Sequence, residues 1–420
     1  MGVSIWEGNK AQGLIDVGHL LVEGFARQNL LLSQMVPISE ATPSAELAEI
    51  HRIVQAGEAS NVFSIGDQLM LNYNDGSRDY VLPWDIVAFR DVQLQDGDTV
   101  PGMVLQSHYA MQACQFDASE AAAVFPNGLA SGTYFFEIGT TWGSNCVAGK
   151  KYQFTTAEDI PEGGCIVIGS NSSFYTWGAP DTAPSNWRVY TFASISSVTP
   201  IETLTIEEGN SGASIGTLYS NTKYGADGAN NLQRCGYGYN RWSQSAMRQW
   251  LNSGAAASAW WTPQNTFDRP PSQLASMRGF MAGFDEAFLN IIRPVKVVTA
   301  LNTVSDSEIG TSEITYDMFF PGSLEEEYIT PQIADVEGAY WPYWKERLGL
   351  TSPQGTGSAN ANPMHIRYAY DAKTSAQNVR LRSAYRGFAY SVWYVGTTGV
   401  AYYYLYATTA YRPAPACVIC

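Results

Sequence analysis

The last 40 residues of the chain hold a dense group of tyrosines. Residues 381–420 contain eight of the 25 tyrosines in the sequence. No Asp, Glu, Lys, Asn, Gln or His occurs there, and the charged residues are Arg382, Arg386 and Arg412. Tyrosine combines a large rigid surface with a hydroxyl group and only two side-chain torsions, which suits it to binding surfaces. The composition therefore favours an aromatic surface that binds a ligand.

The alternative interpretation of this stretch is a buried aromatic sheet. Val392, Val395 and the closing residues 417–420 are typical of such a core. The tyrosine-rich run at 402–406 is not, because consecutive strand residues point to opposite faces of a sheet. Some of these tyrosine hydroxyls are therefore expected to face water or a ligand.

Residues suited to catalysis are few. The histidines, His19, His51, His108 and His365, form no metal-ligand pair at helical spacing, and neither HExxH nor GxSxG occurs. His108 precedes Cys114 by six residues. A Cys/His nucleophile is thus conceivable, but ordinary polar or core roles are favoured.

The remaining reactive residue types also favour structural roles. Cys417 and Cys420 form a single CxxC pair at the end of a strand-like tail, so we interpret the six cysteines as structural thiols. Three consecutive glutamates at 325–327 are typical of a solvated helix start. We expect no metal, no cofactor and no enzyme activity.

The composition limits the classes of partner. A formal charge of −15 argues against nucleic-acid binding, which requires basic stripes. No apolar run approaches the length of a membrane-spanning helix. The first residues lack the basic and apolar regions of a signal peptide. We therefore expect neither insertion into a membrane nor export through a signal peptide.

Periodicity divides the chain into three regions. Leu14, Val17, Leu21 and Phe25 predict an amphipathic helix within 11–36, a second helix follows at 45–56, and together they define an N-terminal helical assembly region at 1–58. Strands begin at 62, with a hairpin turn at 74–77, and a short helix is predicted at 117–124. Residues 243–252 predict another helix.

The residues between these elements resemble an insertion. Short strands recur at even intervals over 127–207, separated by Gly, Pro, Asn and Ser, which predicts a small β-sandwich of Ig-like type. The predicted main domain is then discontinuous and consists of 62–125 together with 208–420.

Five short motifs resemble a known family. They are WDIV at 84–87, RWSQSAMRQWLN at 241–252, DMFFPGS at 317–323, LRS at 381–383 and YRPA at 411–414. These motifs resemble phage and gut-bacterial modules with a C-type-lectin-like fold. Many such modules are the variable proteins of diversity-generating retroelements, in which adenine mutagenesis of a C-terminal cassette replaces Asn codons with codons for Tyr, Ser, Phe, Ala and similar residues.

The resemblance implies a fold and a set of binding residues. The fold is α+β, a C-type-lectin-like domain with an inserted β-sandwich and N-terminal helices. The diversified, ligand-binding residues would be Tyr385, Phe388, Tyr390, Ser391, Trp393, Tyr394, Tyr402, Tyr403, Tyr404, Leu405 and Tyr406. We expect most of their rings to form one exposed patch beside the turn at 396–399. The calcium-dependent sugar motifs of true C-type lectins are absent, so calcium-free binding is expected.

The function implied by the resemblance is host attachment by a phage virion. The chain would be a tail-fibre, tail-tip or head-appendage protein, made in the host cytoplasm and assembled into the virion, that binds a host cell-surface protein or glycan. Its other partners would be virion proteins and copies of itself, with a homotrimer favoured. The alternatives are a purely structural virion component and a bacterial surface-binding module. An enzyme related to the formylglycine-generating group, which would use Cys417 and Cys420, is disfavoured.

Overall fold

The computed structural model describes an α+β structure in which strands outnumber helices, as the sequence predicts. The described residues are 40–120, 123–124, 130–137, 150–156, 159, 165–168, 174–177, 188–190, 193–197, 203–208, 214–219, 234, 237–265, 267–306 and 309–420. For the strands between 123 and 219, and for Tyr404, the description covers the backbone alone. The helix predicted within 11–36 lies outside the described residues.

The helices of the described residues are short. The α-helices are α1 (Ser44–Gln55), α2 (Ala59–Val62), α3 (Ala246–Leu251), α4 (Glu286–Leu289) and α5 (Pro342–Leu348). The 3-10 helices are Trp242–Gln244, Phe280–Gly283, Ser358–Asn360 and Pro363–His365. No helix in the described part of the chain has the length and apolar character needed to cross a membrane.

The longest strand among the described residues has 15 residues. In chain order, the strands are β1 (Gln68–Asn74), β2 (Asp79–Gln93), β3 (Thr99–Ser107), β4 (Cys114–Gln115), β5 (Ala123–Val124), β6 (Gly132–Glu137), β7 (Lys150–Thr156), β8 (Cys165–Ile168), β9 (Phe174–Trp177), β10 (Arg188–Tyr190), β11 (Ala193–Ser197), β12 (Thr203–Glu208), β13 (Ser214–Tyr219), β14 (Val295–Ala300), β15 (Ser312–Asp317), β16 (Phe320–Pro321), β17 (Arg367–Tyr368), β18 (Ala376–Gln377), β19 (Val379–Ala384), β20 (Ser391–Val395), β21 (Ala401–Tyr406), β22 (Ala410–Pro413) and β23 (Pro415–Ile419).

One sheet joins the beginning and the end of the described chain. Its strand order is β1-β2-β3-β23-β16, and every residue of β23 is buried. The β1–β2 hairpin has the predicted turn, where the Asp75 carboxylate accepts hydrogen bonds from the backbone N–H groups of Ser77 and Arg78 at 2.8 and 2.9 Å. The helix α1 is likewise confirmed, and Gly57 follows it with a φ of 75°, a conformation that favours glycine.

A second sheet carries the tyrosine-rich segment. Its strand order is β21-β20-β19-β22-β4, so the short β4 holds the edge opposite β21. The predicted hairpin around 396–399 is present, with antiparallel β20 and β21 on either side. Gly399 has a φ of 75°, and its N–H donates to the carbonyl of Gly396 at 2.9 Å. The turn therefore forms where the two glycines predict it.

The strands between 123 and 219 pair only with one another among the described residues. They form a four-stranded sheet, β10-β9-β8-β5, and a five-stranded sheet, β11-β7-β6-β12-β13. The strands extend beyond both ends of the predicted 127–207 region, and the packing of these sheets as a sandwich stays a prediction. Glu120 and Arg234, on either side of this stretch, form a buried bidentate ion pair with N–O distances of 2.7 and 2.5 Å.

Two local predictions are wrong. Residues 62–67 do not begin a strand, because Val62 ends α2 and 63–67 form an irregular link. Residues 117–120 are not helical, and 123–124 form β5. Asp117 does accept a backbone hydrogen bond, but the donor is the distant N–H of Tyr239 at 3.2 Å. A tertiary contact therefore replaces the helix cap that the local sequence suggests.

Candidate binding site of the C-terminal aromatic residues

The pairing of β20 with β21 separates the aromatic residues onto two faces. Tyr394 lies opposite Tyr402 in the hairpin register. Successive strand residues alternate between faces, so Trp393 and Tyr403 point to the other side. A register shift between Val392 and Tyr394 adds one residue to β21, so Tyr406, which pairs with Ser391, lies on the Trp393 side of the hairpin. The single exposed patch predicted from the sequence is therefore wrong: one hairpin carries two aromatic groups.

The larger group is a continuous row of rings, which we call the aromatic belt. Tyr385 stacks on Tyr403 with ring centroids 4.0 Å apart and an interplanar angle of 11°. Trp393 lies 5.4 Å from Tyr403, and Phe388 lies 5.2 Å from Tyr385. The full set is Trp393, Tyr403, Tyr385, Phe388, Tyr390, Tyr406 and Tyr237.

The far end of the belt includes a residue from outside the C-terminal stretch. Tyr390 lies 5.2 Å from Phe388 and 5.5 Å from Tyr406. Tyr237 stacks on Tyr406 at 4.0 Å and lies 4.9 Å from Tyr390. The sequence prediction missed Tyr237 because it precedes the tyrosine-rich stretch by more than 100 residues. The Gly–Tyr–Gly–Tyr pattern at 236–239, next to the motif at 241–252, is the signal that could have identified it.

Exposure varies along the belt. Tyr406 is exposed, and Tyr385, Phe388, Tyr390 and Tyr403 are partly buried. Burial is the largest cause of the raised pKa of Tyr390, about 12, and Tyr406 adds to it. Burial likewise raises the pKa of Tyr237. The phenols of Tyr390 and Tyr237 are therefore protonated near neutral pH.

Two predicted ligand-binding residues are buried instead of displayed. Trp393 is 3% exposed because its indole packs with Leu324, Ile329 and Leu381. Ser391 is 1% exposed, at the start of β20. Both therefore belong to the scaffold of the belt.

The smaller group, which we call the Tyr394 group, consists of Tyr394, Tyr402 and Tyr411. Tyr394 lies 5.9 Å from Tyr402 and 5.4 Å from Tyr411. The Tyr402 hydroxyl is 3.0 Å from the hydroxyl of Ser358. Leu405, also a predicted binding residue, is partly buried and pairs with Val392. Tyr404, another predicted binding residue, lies in β21, and the description of it covers the backbone alone.

A buried asparagine holds the loop 385–391. The Asn240 side-chain amide donates to the carbonyls of Tyr385, Phe388 and Ser391 at 3.2, 2.7 and 2.8 Å. Its backbone N–H donates to the carbonyl of Ala389 at 2.9 Å. Every one of these bonds ends on a backbone oxygen, so the anchor does not depend on which side chains the loop carries.

Further buried polar residues fix Asn240. The Asn302 side chain donates to Asn240 Oδ1 at 2.9 Å and to the Asp306 carboxylate at 2.7 Å. Tyr239 donates its hydroxyl to the same carboxylate. Burial raises the pKa of Asp306 to about 6, against the opposing effect of the Tyr239 hydrogen bond. This network sets the orientation of the Asn240 amide.

Arg380 supports the hairpin from β19. Its guanidinium donates to the carbonyls of Val392, Tyr406 and Thr409 at 3.2, 3.1 and 3.0 Å. It also lies 4.9 Å from the Tyr411 ring centroid. Burial lowers the pKa of Arg380 to about 10, so it remains charged at neutral pH.

Arg382 lies two residues after Arg380 in β19. Its ion pair shows that the prediction of a solvated helix start at 325–327 is wrong. Arg382 forms a buried ion pair with Glu326, and Glu327 accepts a hydrogen bond from Gln106 at 2.7 Å. Glu326 and Glu327 are both buried. These acids do not begin a solvated helix, because distant partners draw two of them into the core.

Cys114, Cys417 and Cys420 are free and buried. Burial raises the pKa of Cys417 and of Cys420, so both thiols are protonated at neutral pH. His108 lies 3.0 Å from the Asp85 carboxylate, whereas Cys114 contacts Gln273 at 2.9 Å. These contacts support structural roles. Within the described residues, no cluster of three His, Cys, Asp or Glu side chains could hold a metal ion.

Comparison with known proteins finds one similarity. A family model described as a domain of unknown function (DUF6273) matches residues 217–419, a range that includes the belt, Asn240 and Arg380. No curated protein matches the chain. No solved structure matches it either.

Proposed function

We propose that this chain is a binding protein that recognises a cell-surface ligand through the aromatic belt. The observation that carries the proposal is the way the belt is held. Asn240 and Arg380 bond to backbone oxygens of 385–392 and of 406–409. Side chains at the belt can therefore change while these anchors remain, as a variable recognition surface requires.

The proposal includes a C-type-lectin-like fold and a cassette diversified by a retroelement. This part of the proposal is supported by hydrogen bonds between residues of different motifs that carry the resemblance. The Asp317 carboxylate, from the motif at 317–323, accepts hydrogen bonds from Trp242 and Arg248 at 2.9 and 2.6 Å. Both donors belong to the motif at 241–252. Arg382, from the motif at 381–383, donates to the carbonyl of Pro321 in the motif at 317–323 at 2.9 Å.

The biological setting that we propose is a phage virion that attaches to its host. The resemblance supports this setting, together with assembly as a homotrimer and contacts with other virion proteins. A purely structural virion component is the second candidate. It is favoured by one observation, that the belt rings pack on one another and only Tyr406 is exposed among the belt residues.

Binding to intact cells tests the proposal. The fluorescently labelled chain is titrated onto a panel of bacterial strains, and binding is measured by flow cytometry. A variant with Tyr385→Ser, Tyr390→Ser and Tyr406→Ser is expected to lose binding by about 100-fold or more, because aromatic residues dominate binding energy at interfaces. Thermal unfolding of each variant separates loss of binding from loss of folding.

The matched control carries Tyr394→Ser and Tyr402→Ser on the opposite face of the hairpin. It is expected to bind as the wild type does. Loss of binding in the control with retention in the belt variant overturns the choice of face. A wild-type chain that binds no strain contradicts the proposed function and favours the structural role.

A further inference from the structure

Asp306 is a buried carboxylate that is connected to the anchor of the belt loop. It is 1% exposed. One of its oxygens accepts the hydroxyl of Tyr239, and the other accepts from the side-chain nitrogen of Asn302 at 2.7 Å. Tyr239 directly precedes Asn240 in the chain, and the same Asn302 nitrogen also donates to Asn240 Oδ1 at 2.9 Å. Both partners of Asp306 therefore position the residue that holds the loop 385–391.

Further contacts fix which groups donate and which accept in this network. The side-chain oxygen of Asn302 accepts from the N–H groups of Val304 and Ser305 at 3.0 and 2.7 Å. The Asn302 nitrogen is therefore the group that faces Asp306. Burial raises the pKa of Tyr239, so its hydroxyl keeps its proton and donates. Both oxygens of Asp306 thus face donors, an arrangement that suits an ionised carboxylate.

The groups around Asp306 act on its charge in opposite directions. The Arg234 guanidinium lies 3.7 Å from the centroid of the Tyr239 ring, and Arg241 pairs with Glu313 at 2.8 Å. Burial is the largest cause of the raised pKa of Asp306, about 6, and Glu313 adds to it. The Tyr239 hydrogen bond and the two arginines oppose the shift. Asp306 therefore changes its charge in mildly acidic solution, where ordinary carboxylates are still ionised.

Protonation of Asp306 relieves the burial of a charge but removes an acceptor from the network. A protonated carboxyl group carries its hydrogen on one oxygen, and that hydrogen meets the donor in front of it. On one oxygen it opposes the Asn302 nitrogen, and on the other it opposes the Tyr239 hydroxyl. A buried donor without an acceptor is costly, so the network has to rearrange. Either rearrangement acts on Asn240, through its side chain or through the preceding residue.

We propose that the Asp306 network is a pH-sensitive switch of the aromatic belt. The ionised carboxylate holds Asn240 and the loop 385–391 in one fixed shape, and protonation of Asp306 loosens both. This inference rests on the proposed function and adds the regulation of the same site. Cell binding through the belt is therefore stronger at neutral pH than in mildly acidic solution.

Hydrogen exchange of the wild-type chain tests the switch without any ligand. The N–H of Asn240 donates to the carbonyl of Ala389 at 2.9 Å, and the N–H of Thr303 donates to the carbonyl of Arg386 at 2.8 Å. Protection of these two amides reports how firmly the loop is held. From about pH 7.5 to about pH 5, their protection, corrected for the intrinsic exchange rate, is expected to fall about 2- to 10-fold, the value of one hydrogen bond. The amides of β23 are the internal control and are expected to lose no protection. Equal protection of the two loop amides at both pH values overturns the switch.

Cell binding then tests whether the switch controls the belt. Asp306→Asn turns an N–H group towards one of the donors and so imitates the protonated acid at every pH. At about pH 7.5 this variant is expected to bind about 2- to 10-fold more weakly than the wild type, and at about pH 5 equally well. The control, Asp371→Asn, changes the acid beside Arg412 and is expected to keep the pH dependence of the wild type.

Thermal unfolding of each variant verifies that it is folded. Equal pH profiles of the wild type and Asp306→Asn overturn the switch and leave the proposed function intact. A wild-type chain that binds no cells contradicts the proposed function, whereas the exchange of the loop amides still decides whether Asp306 controls the loop.

Discussion

The aromatic belt and the Tyr394 group share a hairpin but differ in what supports their rings. Belt rings stack on other aromatic rings, and the loop beneath is held by Asn240 through backbone oxygens. In the Tyr394 group, the Tyr411 ring packs on the buried Arg380 guanidinium. The Tyr402 hydroxyl meets Ser358. The Tyr394 group is therefore held by contacts with neighbouring side chains, whereas the loop of the belt is held by hydrogen bonds to its backbone.

This difference shows that residue type alone does not assign a tyrosine to a binding surface. Tyr402 and Tyr403 are adjacent in β21 and point to opposite faces of the hairpin. One of them joins the belt and the other joins the Tyr394 group. Strand parity, together with the elements that pack on each face, determines which tyrosines a ligand can reach.

The largest expected change in stability distinguishes Trp393, the buried residue of the belt, from the Tyr394 group. Trp393→Ala is expected to lower the free energy of unfolding by about 3–5 kcal/mol, because it removes a buried indole from the cluster with Leu324, Ile329 and Leu381. Urea denaturation measures this change. Tyr402→Ala, one strand away on the other face, is the control and is expected to cost less than about 1 kcal/mol. Equal losses would contradict the two-face description.

A smaller effect is expected when the anchor of the belt is removed. Asn240→Ala leaves the carbonyls of Tyr385, Phe388 and Ser391 without their buried donor, at an expected cost of about 1–3 kcal/mol. Cell binding by the folded fraction is expected to weaken as well, because the loop 385–391 loses its fixed shape. Urea denaturation and flow cytometry measure the two changes.

The matched control is Asn378→Ala. The Asn378 side chain accepts one hydrogen bond, from the exposed Thr397 N–H at 3.2 Å. Its replacement is expected to cost less than about 0.5 kcal/mol and to leave binding unchanged. If the two variants lose the same stability, Asn240 does not act as the anchor of the belt.

Local rules predicted the elements that local sequence determines. The helix α1, the turn at 74–77 and the hairpin around 396–399 each depend on nearby residues, namely apolar spacing, an Asp–Gly turn and two glycines. The α+β class follows from the mixture of such elements. The density of tyrosines in 381–420 likewise indicated which hairpin to consider.

Contacts between distant residues explain what the sequence could not provide. Glu326 is buried because Arg382, 56 residues later, pairs with it. Trp393 is buried because Leu324 and Ile329 cover it, and no local pattern shows which face of β20 they cover. Tyr237 reaches the belt because the chain returns beside β21 after the stretch 121–233. None of these contacts is indicated by a local sequence pattern such as those that predict α1 and the two turns.

The belt also differs from the Tyr394 group in that buried carboxylates lie close to its backbone. Asp117 accepts from the N–H of Tyr239 at 3.2 Å, and its own N–H donates to the carbonyl of Ala407, next to Tyr406. Burial, with Asp268 and Glu120 nearby, raises the pKa of Asp117 well above its usual value. Burial also raises the pKa of Asp268 to about 7, while Arg269 and Arg234 oppose the shift.

These raised pKa values make stability depend on pH in a defined direction. The folded state holds protons on Asp117 and Asp268 more tightly than the unfolded state does. The contribution of these two groups to the free energy of unfolding is therefore greatest below about pH 4 and falls as the pH rises. For Asp268 the loss is centred at about pH 7. Around the Tyr394 group, the buried charge is Arg380, whose pKa of about 10 gives no change in this range.

Asp117→Asn is expected to remove part of this pH dependence and to give the smallest of the three effects. The asparagine oxygen can still accept from the Tyr239 N–H, while the repulsion from Asp268 and Glu120 disappears. At pH 8 the variant is expected to be more stable than the wild type by on the order of 1 kcal/mol, within the usual range for a stabilising substitution, with a smaller difference at pH 5. Urea denaturation at both pH values measures this. The control, Asp371→Asn, changes a partly exposed acid beside Arg412 and is expected to leave the pH dependence unaltered. An equal gain in stability at both pH values, or no gain, would contradict a raised pKa of Asp117. The carboxylates beside the belt would then make stability no more sensitive to pH than the Tyr394 group does.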